Sequence, residues 1–198
     1  MRVLGVDPGS RRTGFGVVEG AGRAARCLDH GAIVPGARPS LPQRLEIIAA
    51  RVDELIARFA PDCVSIEEAF YHESVRSTLV LGHVRGALML GVVRRGVAIA
   101  EYSPREIKMS VAGSGGASKE QVQFMVRRLL GLAGTPQADA ADALAAALCH
   151  LHRAARATPA GHPLATPASA AAGRLAALLG NRAVRGGARP RSAGGRSR

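Results

Sequence analysis

The apolar positions along the chain follow two rhythms. Residues 3–7 (VLGVD) form a short apolar run that Pro8-Gly9 stops, and residues 13–19 (TGFGVVE) and 24–34 follow after tight links that contain glycine. Short runs bounded by Gly and Pro predict three strands joined as a hairpin meander. From Leu41 the period changes: Leu41, Leu45, Ile48, Val52, Leu55, Ile56 and Phe59 recur every three or four residues. That spacing predicts an amphipathic helix over 41–59, which Pro61 ends. Residues 64–67 read as a fourth strand and 97–102 as a fifth. Between them, residues 74–95 predict a long helix with Leu79, Val84, Leu88 and Val92 on one side. A short helix is expected over 104–111, then a GSGGAS loop, then a helix over 119–132. Ser118 stands at the N-cap of that helix, with Gln121 at the capping-box position. A last helix opens near Pro136 and runs to about Ala155. Leaving aside the short helix over 104–111, the order β-β-β-α-β-α-β-α-α defines an α/β chain with a five-stranded mixed sheet flanked by helices.

Gly82, Gly86 and Gly91 interrupt the second long helix. Each costs about 1 kcal/mol relative to Ala in a helix interior. Gly82 and Gly86 lie one turn apart and open a flat patch. Two readings account for it: close packing inside the monomer, or the seam of a dimer.

Charge divides the chain of 198 residues into two parts. Residues 1–150 hold 18 Lys plus Arg against all 15 acids, whereas residues 151–198 hold 9 Arg and no acid. The last stretch, Ala-, Gly-, Pro- and Arg-rich, has little to bury. The expected organisation is a folded domain over 1–155 and a basic, disordered tail over 156–198, with a short helix at most over 170–179. Such a tail suits non-specific attraction to phosphates. Aromatic residues make only 3% of the chain, with no Trp, which argues against a stacking platform for single strands. No apolar run approaches the roughly 18 residues of a membrane span, and the first residues lack the features of a signal peptide. Three cysteines without C-x-x-C spacing argue against a disulfide framework or a zinc cage, and favour a reducing cytoplasm.

Four acids sit in apolar settings. Asp7 ends the first strand and Glu67 the fourth, while Asp139 and Asp142 share one face of the Ala- and Leu-rich helix in QADAADALAAAL. Buried unpaired carboxylates are expensive, and no cluster of Lys or Arg adjoins these stretches in sequence. Divalent cations are the economical partner. All-oxygen ligands suit Mg²⁺, with Mn²⁺ as a substitute, rather than zinc. Four negative charges match two such ions, and two ions roughly 3.5–4 Å apart form a clamp for phosphodiester hydrolysis. Each acid taken singly also has an ordinary explanation, as a turn former, a helix-dipole partner or a solvated strand residue.

The motifs DPGS, TGFGVV, SIEEAF and QADAADALA, together with LPQRLEII, LGHVRGAL and QVQFMVRRLL, occur in an order that resembles the RuvC family of bacterial Holliday junction resolvases. The resemblance runs from Val3 to about His152. It implies an RNase H-like (integrase-like) fold and a homodimer that binds four-way junction DNA. It also implies Mg²⁺-dependent, symmetrical nicks in two strands of like polarity that leave 5′-phosphate ends. The family's catalytic, metal-binding set maps onto Asp7, Glu67, Asp139 and Asp142. Phe70 matches an aromatic wedge near the crossover, and Lys108 and Lys119 match lysines near the scissile phosphate. They are the only two lysines of the chain. A partnership with the RuvA–RuvB branch-migration complex is implied by the same kinship. After Phe70 the chain departs from the family's usual small residue, Lys and Asn, and reads Tyr71-His72-Glu73. Two alternatives stay open at this point: another RNase H-like nuclease acting on RNA–DNA hybrids, or a non-catalytic junction-binding protein.

Overall fold

Ten elements alternate around one mixed sheet in the computed structural model, which describes residues 1–21, 24–68 and 74–157. The strands are β1 (Arg2–Asp7), β2 (Thr13–Ala21), β3 (Ala24–Ile33), β4 (Cys63–Glu67) and β5 (Ala98–Tyr102). The helices are α1 (Leu41–Phe59), α2 (Val75–Arg94), α3 (Pro104–Ala112), α4 (Lys119–Leu129) and α5 (Ala138–Ala157). The sheet order is β3-β2-β1-β4-β5. β1, β2 and β3 run antiparallel in sequence, as the meander predicts, and β4 and β5 join parallel to β1 on the other side. The first four elements and α3 fall close to the predicted ranges. Helix α4 is shorter than the predicted 119–132, because Leu130 leaves helical geometry and Gly131 turns the chain at φ 61°. Helix α5 starts two residues after Pro136. The predicted tail, its short helix over 170–179 and Phe70 lie outside the described residues.

Alternation along the strands splits the core in two. Leu4, Val6, Val17, Val64 and Ile66 face α1 and α2, where Ile48, Val52, Val84 and Leu88 meet them. Val3 and Val18 face the other way, toward α3, α4 and α5. Burial of each such Leu, Ile or Val side chain is worth about 1.5–3 kcal/mol.

Helix α5 lies on the sheet with almost no side-chain spacer. A Cβ at Gly5 would run into the carbonyl oxygen of Ala143, and one at Gly14 into the carbonyl oxygen of Asp139. The buried Ser65 hydroxyl donates to the Ala146 carbonyl at 2.8 Å, which ties β4 to the same helix. Ala140, Ala141 and the run from Ala143 to Cys149 are buried, so the Ala-rich sequence is the sequence of a helix packed on all sides. These contacts fix how far the acid-bearing start of α5 sits from the strand ends.

Helix α2 has two apolar faces. Val84, Leu88 and Val92 are buried against α1 and the sheet. Leu79 was expected beside them, but it is 61% exposed. Five residues separate Leu79 from Val84, which is about 140° around a helix, so the two sides are different. Leu79 belongs instead to an outward stripe with Val75, Gly82, Gly86, Leu90 and Val93, spaced by three or four residues. A Cβ at Gly82, Gly86 or Gly91 would meet no atom of the described residues within 4 Å, so close packing among those residues does not account for these glycines. Among the described residues, no helix is long and apolar enough to cross a membrane.

Candidate active site

The carboxyl ends of β1 and β4 carry Asp7 and Glu67. The two strands are parallel neighbours, with a register from Val3↔Cys63 to Val6↔Ile66, so the next residue of each stands level with the other. Asp7 and Glu67 share the parity of Gly5 and Ser65, and therefore the face covered by α5. Glu68, one residue on, is exposed, as strand alternation requires. The turn after Asp7 is clasped by buried Thr13, whose hydroxyl donates to the Gly9 carbonyl at 2.7 Å. Across the hairpin Asp7 pairs with Gly14, directly under the Asp139 backbone. The first turns of α5 thus bring Asp139 and Asp142 to the same end of the sheet.

Asp7, Glu67 and Asp142 line one cleft of about 260 Å³ with Lys108 and Lys119. Pro104, Ile107 and Val122 supply its apolar walls. Lys108 comes from α3, and Lys119 opens α4 behind the capping box of Ser118 and Gln121, whose backbone and side-chain bonds are both made. Sequence reasoning singled out all five polar residues, and the fold gathers them from five elements.

Burial, and then the carboxylates of Glu67, Asp142 and Asp139, push Asp7 up to about 8, with Lys119 opposing. Burial and Asp142 raise Glu67 against the pull of Lys119, Lys108 and Arg85. Burial raises Asp142 as well, with Lys119 the main opposing charge. The cleft is short of positive charge in spite of its two lysines.

Asp139 does not face the cleft in the same way. Its carboxylate pairs with the Arg12 guanidinium, Nε to Oδ2 at 3.1 Å. The expectation is that no cluster of Lys or Arg adjoins these stretches in sequence, and this pair is an exception to it. Arg12 is only five residues beyond Asp7 in sequence, and the hairpin returns it to α5. Among the described residues, no three His, Cys, Asp or Glu side chains stand within reach of a single ion. The donor set fits a hard divalent cation in chemistry and in its surplus of buried negative charge, while its side chains stand apart as arranged here. Phe70 and residues 71–73 lie outside the described residues.

A five-stranded mixed sheet with acids at the ends of its central parallel strands, and a helix adding two more, is the RNase H-like fold. The family model for the crossover junction endodeoxyribonuclease RuvC matches residues 3–150. The crossover junction endodeoxyribonuclease RuvC of Cupriavidus metallidurans is 47% identical over 150 residues, covering 76% of this chain and 83% of its own. That of Trichlorobacter lovleyi is 44% identical over 174 residues, covering 88% and 98%. Among solved structures, T. thermophilus RuvC in complex with a Holliday junction substrate superposes with a TM-score of 0.75 at 37% identity, covering 79% of this chain and 96% of its own. The chain belongs to the RuvC family.

Proposed function

We propose that this chain is a Holliday junction resolvase: a metal-dependent endodeoxyribonuclease of the cytoplasm that makes paired, symmetrical nicks in two strands of like polarity and leaves 5′-phosphate ends. The single observation that carries this reading is the cleft itself, where Asp7, Glu67 and Asp142 converge with Lys108 and Lys119. Its kinship supports the substrate, since a T. thermophilus relative was solved with a Holliday junction substrate. Nucleases of the family are metal-dependent.

In this reading Asp7, Glu67, Asp139 and Asp142 are the catalytic set and hold two divalent cations, Mg²⁺ or Mn²⁺. Bound there, such ions would supply a nucleophilic water at neutral pH and offset charge on the leaving 3′ oxygen. The protein's share is positional. The ends of β1 and β4 bring Asp7 and Glu67 to one cleft, α5 adds Asp142 to it, and Asp139 pairs with Arg12. Arg12 must release Asp139 before all four act together. Lys119 and Lys108 hold the non-bridging oxygens of the scissile phosphate and offset its charge beside the acids. Ile107 and Val122 keep bulk water from that side of the cleft. Phe70 is the wedge at the crossover. The outward stripe of α2 is the seam of a homodimer, which supplies two clefts related by a twofold axis. Work alongside a RuvA–RuvB branch-migration complex belongs to the same reading and rests on family membership.

The test offers a labelled four-way junction, a linear duplex and an RNA–DNA hybrid side by side in Mg²⁺. Paired nicks at symmetrical junction positions are expected. Asp7→Asn should still bind the junction but cut at least about 10³-fold more slowly, because several kcal/mol of transition-state stabilisation are lost. Preferential cutting of the hybrid, or near-normal cutting by the variant, would refute the reading.

A further inference from the structure

The four site acids do not share their counter-charges evenly. Asp7, Glu67 and Asp142 line the cleft with Lys108 and Lys119, and Asp139 is not among the described residues that line it. Three carboxylates there face two ammonium groups, whereas Asp139 has the Arg12 guanidinium at 3.1 Å. Arg12 itself lines a separate groove with Arg11, Arg44 and Arg76. The site is thus a cleft short of cations, with a fourth carboxylate beside it that is already matched.

Backbone holds both partners of that pair in place. Arg12 closes the turn between β1 and β2, where a Cβ at Gly9 would run into the Arg12 carbonyl oxygen. Buried Thr13, next in the chain, clasps the same turn through its bond to the Gly9 carbonyl. Asp139 stands in the first turn of α5, and its backbone rests on Gly14, two residues after Arg12. The side chains, in contrast, are free to part. Arg12 is 52% exposed and Asp139 31%, so the guanidinium can turn into water without leaving a buried donor unmet. Asp139 and Asp142 are three residues apart on one helix, where Cβ atoms stand about 5–6 Å from each other. A turn of side chains, with the backbone unmoved, carries the Asp139 carboxylate from Arg12 toward Asp142.

The energetics suit a contact that is made and broken. A half-exposed ion pair is weak, because water screens it and two long side chains lose freedom in it. A hard divalent cation takes several carboxylate oxygens at once and outbids it. While the pair stands, the guanidinium occupies an oxygen of Asp139 and repels an approaching cation.

We infer that Arg12 competes with a divalent cation for Asp139: it is a built-in counter-cation that keeps the fourth carboxylate out of the metal set until it swings away. Arg12 touches neither metal nor substrate in this role and is a positioning residue that acts through Asp139. The cleft then takes one cation readily, on Asp7, Glu67 and Asp142, and a second only at the expense of the ion pair. The metal rests on the reading above; the competition rests on the ion pair.

The test titrates Mn²⁺ into the full-length protein without DNA and reads the free ion by electron paramagnetic resonance up to millimolar concentration. The parent should bind one ion tightly and a second weakly. Arg12→Gln should bind the weaker ion about five- to tenfold more tightly and leave the first near the parent's value. Arg11→Gln removes a charge from the adjacent exposed residue, which has no ion pair among the described residues, and should leave the weaker ion as in the parent. In an Asp139→Asn background Arg12→Gln should bring no gain, because the cycle isolates the pair from general charge. If two ions bind and Arg12→Gln leaves the weaker one unchanged, if Arg11→Gln matches its gain, or if the gain survives Asp139→Asn, the competition is wrong and the metal reading stands. If no variant takes up a second ion, the two-cation reading fails and the competition falls with it.

Discussion

Asp7 is the residue at which folding and chemistry pull in opposite directions. An isolated Asp ionises near 3.8, and in this fold burial and neighbouring acids move it to about 8. In the metal-free protein the native state holds a proton that the unfolded chain gives up, so stability is greatest below about pH 4 on this account. It is lost as pH rises from the ordinary value toward 8. Glu67 and Asp142 are raised too and act with the same sign. His150 opposes them: burial lowers its pKa, so its share of stability is lost as pH falls below about 6.5. Melting in EDTA should therefore show Tm falling between about pH 7 and 8, and Asp7→Asn should flatten that fall. Mg²⁺ added at the upper end of that range should raise the parent's Tm well above the variant's. A parent Tm that is flat over this range and unmoved by Mg²⁺ would remove the electrostatic strain assigned to the cleft.

At the scale of elements, helix α5 decides both the core and the position of two of the four acids. Its seat depends on Gly14, where a methyl group would displace the Asp139 backbone. Gly14→Ala should cost about 1–3 kcal/mol, the usual range for overpacking, and should shift Asp139 away from Asp7 as well. Chemical denaturation checks the first effect and junction cutting the second; a variant as stable and as active as the parent contradicts the seating. Much of this element pattern is legible in the chain alone. Strand ends marked by Pro-Gly, the three-four spacing of α1 and the box of Ser118 and Gln121 are local signals, and local signals survive into the fold. The acids of Asp7, Glu67, Asp139 and Asp142 stand out because each interrupts an apolar stretch. The Arg12–Asp139 pair and the arginine groove have no such mark. Their members come from the β1–β2 turn, α1, α2 and α5, and only the tertiary arrangement makes neighbours of them. Periodicity puts Leu79 on the wrong side because α2 is apolar on two faces, and spacing alone does not choose between them.

At the scale of the whole molecule, the described residues leave that second face exposed. Val75, Leu79, Leu90 and Val93 are 63%, 61%, 53% and 52% exposed, and Gly82 and Gly86 leave a flat stretch between them. Apolar surface of this kind favours a second copy, and small residues let two helices approach closely. Sedimentation at micromolar concentration should show a dimer for the parent and a monomer for Leu79→Glu; a monomeric parent would remove the seam. The two sides of the sheet also differ in kind. Against α1 and α2 it meets a cushion of Leu, Ile and Val, whereas against α5 main chain touches main chain across Gly5 and Gly14. A cushion tolerates exchange of one aliphatic group for another. Hard contact between backbones tolerates no added atom. As copies of this gene diverge, the cushioned flank is free to vary its residues, while the other keeps its spacing like a gauge block, and the cutting edge keeps its shape with it.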